Sequence, residues 1–277
     1  MQRAVGLPIC LSLVVLLFLC HQAFAQEEVL FQLADARGDD TGAGDLLYPE
    51  HEVYVPGLFD LWGFQLSQDP ESLYFDFHFA TLTNPFRAPE GYFHQRLEVY
   101  IQTGEFLGPT ELAVGTYRLQ TAPDTGWNLR LSVAPFAENR LYVARENGQI
   151  HVFSEGIQSF RLPESNTLRV QVDSALLPQP NTAWGYYVLV GAFDGLAQGF
   201  WRDVGDGPWQ IGGTGTPIFD LLAPRWGKQS QKFQLSSGVL YPVRSSRLPL
   251  TWWLFAVVFI LFCLGFAFLW RWWHGRS

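Results

Sequence analysis

Four aspartates, Asp35, Asp39, Asp40 and Asp45, share eleven residues of the stretch FQLADARGDDTGAGDLLYPE with Gly38, Gly42 and Gly44. Hard cations such as calcium take oxygen ligands, about six to eight of them. Aspartate side chains are short, and glycines let a chain curl so that backbone carbonyls turn inward as well. The spacing departs from an EF-hand loop, because no Glu stands at the twelfth position of a D-x-D-x-D-G frame. Two readings stand side by side. One is a calcium loop. The other is an Asp/Gly turn whose carboxylates accept backbone N–H bonds.

Other chemistry has little support in the chain. There is no His-Glu-x-x-His, Gly-x-Ser-x-Gly or P-loop motif. The three cysteines, Cys10, Cys20 and Cys263, all lie in apolar terminal segments. The intervening chain therefore has no disulfide, no thiol nucleophile and no cysteine-ligated metal. The single methionine is Met1, so a His/Met haem pair is excluded. His51, His78, His94 and His151 are scattered without metal-ligand spacing and read as surface or sheet-face residues. We expect no enzymatic activity and no resident cofactor other than calcium.

Aromatic side chains are the second resource. Between residues 26 and 249 there are six tryptophans: Trp62, Trp127, Trp184, Trp201, Trp209 and Trp226. An indole fills a core or offers a flat face to the C–H face of a sugar. Gly199-Phe200-Trp201-Arg202-Asp203 and Gly207-Pro208-Trp209-Gln210 place indoles beside Arg, Asp and amide partners in loop-like sequence.

Strands must position these groups. Leu73, Phe75, Phe77 and Phe79 alternate with Tyr74, Asp76 and His78, a period of two. QRLEVYIQT, WNLRLSVAP, RLYVARE, GQIHVFS, TLRVQVD and WGYYVLVGAF repeat the pattern. Asp69-Pro70, Asn84-Pro85, Asn147-Gly148 and Pro178 to Pro180 separate them as turns. No amphipathic helix of ten residues is visible, and SALLPQP reads as one helical turn. The expectation is an all-β, antiparallel sandwich with jelly-roll or immunoglobulin-like layering. The partly apolar second face of residues 72–80 predicts a mid-sheet position for that strand.

The ends place the sandwich in the cell. Arg3, an apolar run over residues 8–20 and Ala23-Phe24-Ala25 predict an export signal over residues 1–25. Residues 250–270 are 21 uncharged, largely apolar residues with tryptophans crowding both ends. At about 1.5 Å per residue they span one hydrocarbon core. Residues 26–242 would form the sandwich, 243–249 a short stalk, 250–270 the membrane helix and 271–277 a cytoplasmic tail. The result is a single-pass membrane protein with an exported domain, periplasmic or on the cell surface. All 26 acidic residues lie between 26 and 249, and the chain carries a net charge of −8. An acidic exported domain argues against nucleic acid and permits cations.

GDDTGAGDLLYP (38–49), PGLFDL (56–61), Asn84-Pro85-Phe86 and GYFHQRLEVYI (91–101) resemble the C-terminal binding module of glucodextranase. GAFDG (191–195), WRDVGDGPWQIGG (201–213) and FDLLAP (219–224) extend the resemblance in the same order. The resemblance implies an S-layer-homology-like β-sandwich, related to carbohydrate-binding modules, that attaches rather than catalyses. It carries Gly38, Asp39, Asp40, Gly42 and Gly44 into a calcium-type site and adds Asp60. It sets Asp194, Arg202, Trp209 and Asp220 in a second block that could line a ligand groove. The residues expected to touch ligand are Asp194, Trp201, Arg202 and Trp209. Two departures stand out. The family's Asp-Pro is Asp35-Ala36 here, and its Asn-Pro-Trp is Asn84-Pro85-Phe86, which is expected to remove an aromatic platform. The function expected is binding of carbohydrate, an α-glucan or an envelope polysaccharide. The alternative is a protein-interaction subunit that positions a membrane transporter or hydrolase.

Overall fold

The computed structural model describes residues 27–137 and 139–244. The expected export signal and membrane helix lie outside the described residues. Among the described residues, no helix is long and apolar enough to cross a membrane. In chain order the strands are β1 (Glu28–Ala34), β2 (Leu46–Leu47), β3 (Leu61–Gln68), β4 (Ser72–Phe79), β5 (Gln95–Gln102), β6 (Glu111–Val114), β7 (Tyr117–Thr121), β8 (Leu129–Val133) and β9 (Arg140–Ala144). They continue as β10 (Ile150–Phe153), β11 (Ile157–Arg161), β12 (Thr167–Asp173), β13 (Gly185–Ala192), β14 (Gly212–Gly213), β15 (Asp220–Leu221), β16 (Val239–Leu240) and β17 (Val243–Arg244). One short α-helix, α1 (Gln231–Ser237), precedes β16.

Two antiparallel sheets carry the domain. The first runs β1-β3-β4-β12-β11 and the second β10-β9-β8-β5-β13-β15, with β17 also paired to β13. The period of two explains why they face each other. Leu73, Phe75, Phe77 and Phe79 of β4 are all buried and meet Leu97, Val99 and Ile101 of β5 and Val188 and Val190 of β13 in one core. Burying each such side chain contributes about 1.5–3 kcal/mol.

β4 lies mid-sheet, between β3 and β12, as its pattern predicts. Its outer face is made tolerable by a fork: Arg169 on β12 donates to both carboxylate oxygens of Asp76 at 2.7 Å. The expected single turn at SALLPQP is a 3₁₀ turn, Ser174–Leu176, capped by the Asp173 carboxylate. Val243–Arg244, expected in the stalk, instead pairs with Gly185 and Tyr186 of β13, and the rest of the expected stalk lies outside the described residues.

A second layer covers the outer face of the second sheet. β6, β7 and β16 form a small sheet, with β16 parallel to β7. Leu112, Val114, Leu119, Leu235 and Leu240 from this layer and α1 bury Tyr100, Tyr187 and Leu189. β5 and β13 are therefore buried on both faces. On β5 this encloses Glu98, which accepts from Arg96 at 2.5 Å and from Arg130 at 2.7 Å. α1 ends on Gly238, whose φ of 69° is the left-handed cap that glycine adopts without strain.

Candidate functional site

The carboxylates gather at one end of the sandwich. Asp35 follows β1, and its N–H donates to the carbonyl of Trp62 at 3.0 Å. Asp60 immediately precedes β3, the partner of β1. Asp220 belongs to β15 in the opposite sheet, and its Oδ2 accepts the Leu61 N–H at 2.7 Å. The loop bearing Asp39 is tied down at Gly42, whose N–H donates to Phe219 O at 2.8 Å. A Cβ at Gly42 would stand 2.8 Å from Ile218 O, and φ there is +64°, so glycine is required. Gln231 of α1 completes the tie. Its amide donates to the carbonyls of Asp39 and Gly42 and accepts from Leu221 N.

Asp39, Asp60 and Asp220 each place one carboxylate oxygen within 4.8 Å of the other two. A calcium–oxygen distance of about 2.4 Å sets two ligand oxygens at most about 4.8 Å apart, so one such ion spans the cluster. Asp60 accepts one hydrogen bond at each oxygen, from Gly38 N at 2.9 Å and from Trp62 Nε1 at 2.8 Å. Asp35 Oδ2, Asp39 Oδ1 and Asp220 Oδ1 are buried with no hydrogen-bond partner. Burial pushes the Asp220 carboxyl well above the ordinary range, and the Asp35 and Asp39 charges push it further. Burial likewise lifts Asp35 to about 8 and Asp39 to about 6. Buried carboxylates with empty lone pairs call for a proton or a cation.

The expected ligand set is partly redistributed. Asp39 and Asp60 are in the cluster, and Asp35 stands behind it. Asp40 faces Tyr48, whose hydroxyl donates to its Oδ2. Asp45 is exposed and outside the three-carboxylate group. Asp220, expected only as a groove residue, is the group's most buried member. No spacing rule in the sequence links it to Asp39; sheet pairing brings it there.

A second feature is an aromatic face. Trp209 is 37% exposed and stacks on His51 with ring centroids 3.8 Å apart. Phe86, 47% exposed, lies 6.4 Å from Trp209 and 4.5 Å from Phe93. The residue expected to remove a platform thus stands on the same face as the retained indole. Asn84 sets it there, bonding both the N–H and the C=O of Ala88 across the turn.

Polar groups lie beneath this face. Arg202 donates to Trp209 O at 2.7 Å and to Phe193 O at 3.1 Å, and pairs with Asp194 at 3.2 Å. Its Nε, the Tyr54 hydroxyl and both ring nitrogens of His94 have no partner. Burial, aided by the Arg202 charge, lowers His94 to about 4, so it is neutral. Sequence spacing gave no sign that His94 would be buried. Asp194, Arg202 and Trp209 lie together, whereas Asp220 of the same block lies in the carboxylate cluster. Trp201 is not with them: it is 1% exposed, and its indole covers Gly191, where a Cβ would stand 1.9 Å from the ring.

Two solved structures are distantly similar. Both are carbohydrate binding modules of family 9 from Caldicellulosiruptor kristjanssonii, one in complex with cellotriose and one with glucose. The first is 11% identical, covers 77% of this chain and 91% of its own, and has a TM-score of 0.27. The second is 12% identical, covers 78% and 94%, and has a TM-score of 0.24. Overlaps of that quality transfer nothing to this chain. No curated protein matches it. The family model described as the C-terminal binding-module, SLH-like, of glucodextranase matches residues 30–243. That match takes in nearly all of both sheets and both sites, and the protein belongs to the glucodextranase C-terminal binding-module family.

Proposed function

We propose that this protein is a non-catalytic carbohydrate-binding module, an α-glucan or envelope-polysaccharide binder anchored by residues 250–270 with its domain exported, periplasmic or on the cell surface. The observation that carries the reading is the half-exposed Trp209–Phe86 face above Arg202 and Asp194. Stacking on the indole would supply affinity, and the Arg202–Asp194 pair would orient hydroxyls. Retention of the chain on insoluble glucan or envelope polysaccharide, competed by the soluble oligosaccharide, tests it. Absence of retention across neutral glucans and envelope glycans would sink it.

Calcium is the second element of the proposal. It would sit among Asp39, Asp60 and Asp220 and fix the loop that crosses from β1 to β2. The unpartnered oxygens of Asp39 and Asp220 support it. Chelator should lower the melting temperature, and added calcium should restore it.

One observation favours the protein-interaction alternative. The edge strand β10 exposes Ile150 and Val152, an apolar pair on an unpaired edge. Co-purification of a membrane partner that is lost on Val152→Lys would support that reading over glycan binding.

A further inference from the structure

A cavity of about 420 Å³ opens beside the carboxylate cluster, well within the size range of ligand pockets. Its wall carries Arg37, Arg225, Lys232 and Trp226, with Asp39 on the floor. Trp226 is 78% exposed, the most exposed indole among the described residues. A solvent-facing indole is an informative exception, because large rings are normally covered. The three cations are equally unusual. In a chain with 26 acidic and 18 basic residues, they converge on one opening. Among the described residues none of them forms a salt bridge. Two guanidinium groups are held by rings instead: Arg37 lies 4.1 Å from the Trp62 ring centroid and Arg225 lies 5.2 Å from that of Trp226. Ring contact uses the flat face of a guanidinium and leaves its N–H edge free to donate.

The Asp39 carboxyl belongs to the group beneath, within 4.8 Å of Asp60 and Asp220 oxygens. Against this one acidic group the opening sets three basic ones, and the Arg225 charge acts on the Asp39 carboxyl. The opening is lined by an exposed indole and three cations, none of which forms a salt bridge among the described residues.

We infer that this cavity is a second saccharide site, separate from the Trp209 face, and that it takes a sugar bearing an anionic group. The sugar ring stacks on Trp226. Its carboxylate or phosphate accepts from Arg37, Arg225 and Lys232, where charge-assisted bonds are about twice as strong as neutral ones. The inference stands whether or not the aromatic face binds neutral glycan.

Calorimetric titration of the detergent-solubilised full chain tests it with two probes, trigalacturonate for a carboxylate and glucose 6-phosphate for a phosphate. At least one should give saturable heat that weakens as salt rises. Arg225→Ala with Lys232→Ala should weaken it at least about tenfold, the loss expected for charged hydrogen bonds. Trp226→Ala should weaken it as well. All three side chains are exposed, so these variants keep the fold. Trp209→Ala should leave the heat unchanged. Maltotriose titrated in parallel reads the Trp209 face, which separates failure of one site from failure of the other. No heat with either anionic probe, heat retained in the double variant, or heat lost in Trp209→Ala would overturn the inference.

Discussion

The decisive residue in the carboxylate cluster is Asp220. Burying an ionised carboxylate beside two others costs several kcal/mol unless something neutralises it. Asp220→Asn removes that cost along with a ligand oxygen. The variant should melt no lower than the native protein in chelator, yet lose the rise in melting temperature that we propose calcium gives the native chain. A calcium rise that survives Asp220→Asn would remove this residue from the ligand set. His94 offers a different test. Folded, it titrates near 4 against an ordinary 6.5, so the unfolded chain binds more protons between those values. Stability is therefore complete above pH 6.5 and falls as pH drops toward 4, by at most about 1.4 kcal/mol per unit. The groups that face it are the Arg202 charge and the Tyr54 and Phe93 rings. His94→Phe should flatten that part of the urea-midpoint profile relative to the native chain; an unchanged slope would contradict it. Asp39 and Asp60 were legible in sequence because a crowded loop and a motif carry them. Asp220 and His94 were not, because their roles arise from burial created by distant strands.

At the scale of elements, legibility followed length only in part, since β1 and β3, seven and eight residues long, were not read as strands from sequence. β4, β5, β12 and β13 each run seven or eight residues and show the period of two in sequence. β2, β14, β15, β16 and β17 are two residues long and leave no periodic trace. α1 was hidden by its composition, since QKFQLSS buries Gln231 and Gln234 rather than an apolar stripe. The second layer on β5 was hidden because β6, β7 and β16 are only four, five and two residues long, and with it the enclosed Arg96–Glu98–Arg130 group. Arg96 also donates to Val133 O and Gly199 O, both at 2.9 Å, so Glu98 anchors a network across three segments. Glu98→Ala leaves two cations without their counter-charge and should destabilise by about 3–5 kcal/mol, read as a shift in denaturant midpoint. A loss under about 1 kcal/mol would mean that the enclosed charges do little for the fold.

For the whole molecule, the family match over residues 30–243 and the last described strand end together, a few residues before the apolar segment at 250. Composition and the period of two announced an acidic, cysteine-free β domain. They did not announce where ligand would bind, because half of the six tryptophans are core and half are surface. Trp127, Trp184 and Trp201 are buried, while Trp62, Trp209 and Trp226 are exposed. Only packing separates the two groups. The central claim is that Trp209 and Phe86 form a glycan face. Calorimetric titration of the full chain with malto-oligosaccharides and envelope glycan fragments, native against Trp209→Ala, tests it most directly. The account predicts saturable heat for the native chain that weakens at least about tenfold in the variant. Equal affinity in the two proteins, or no heat in either, would contradict it.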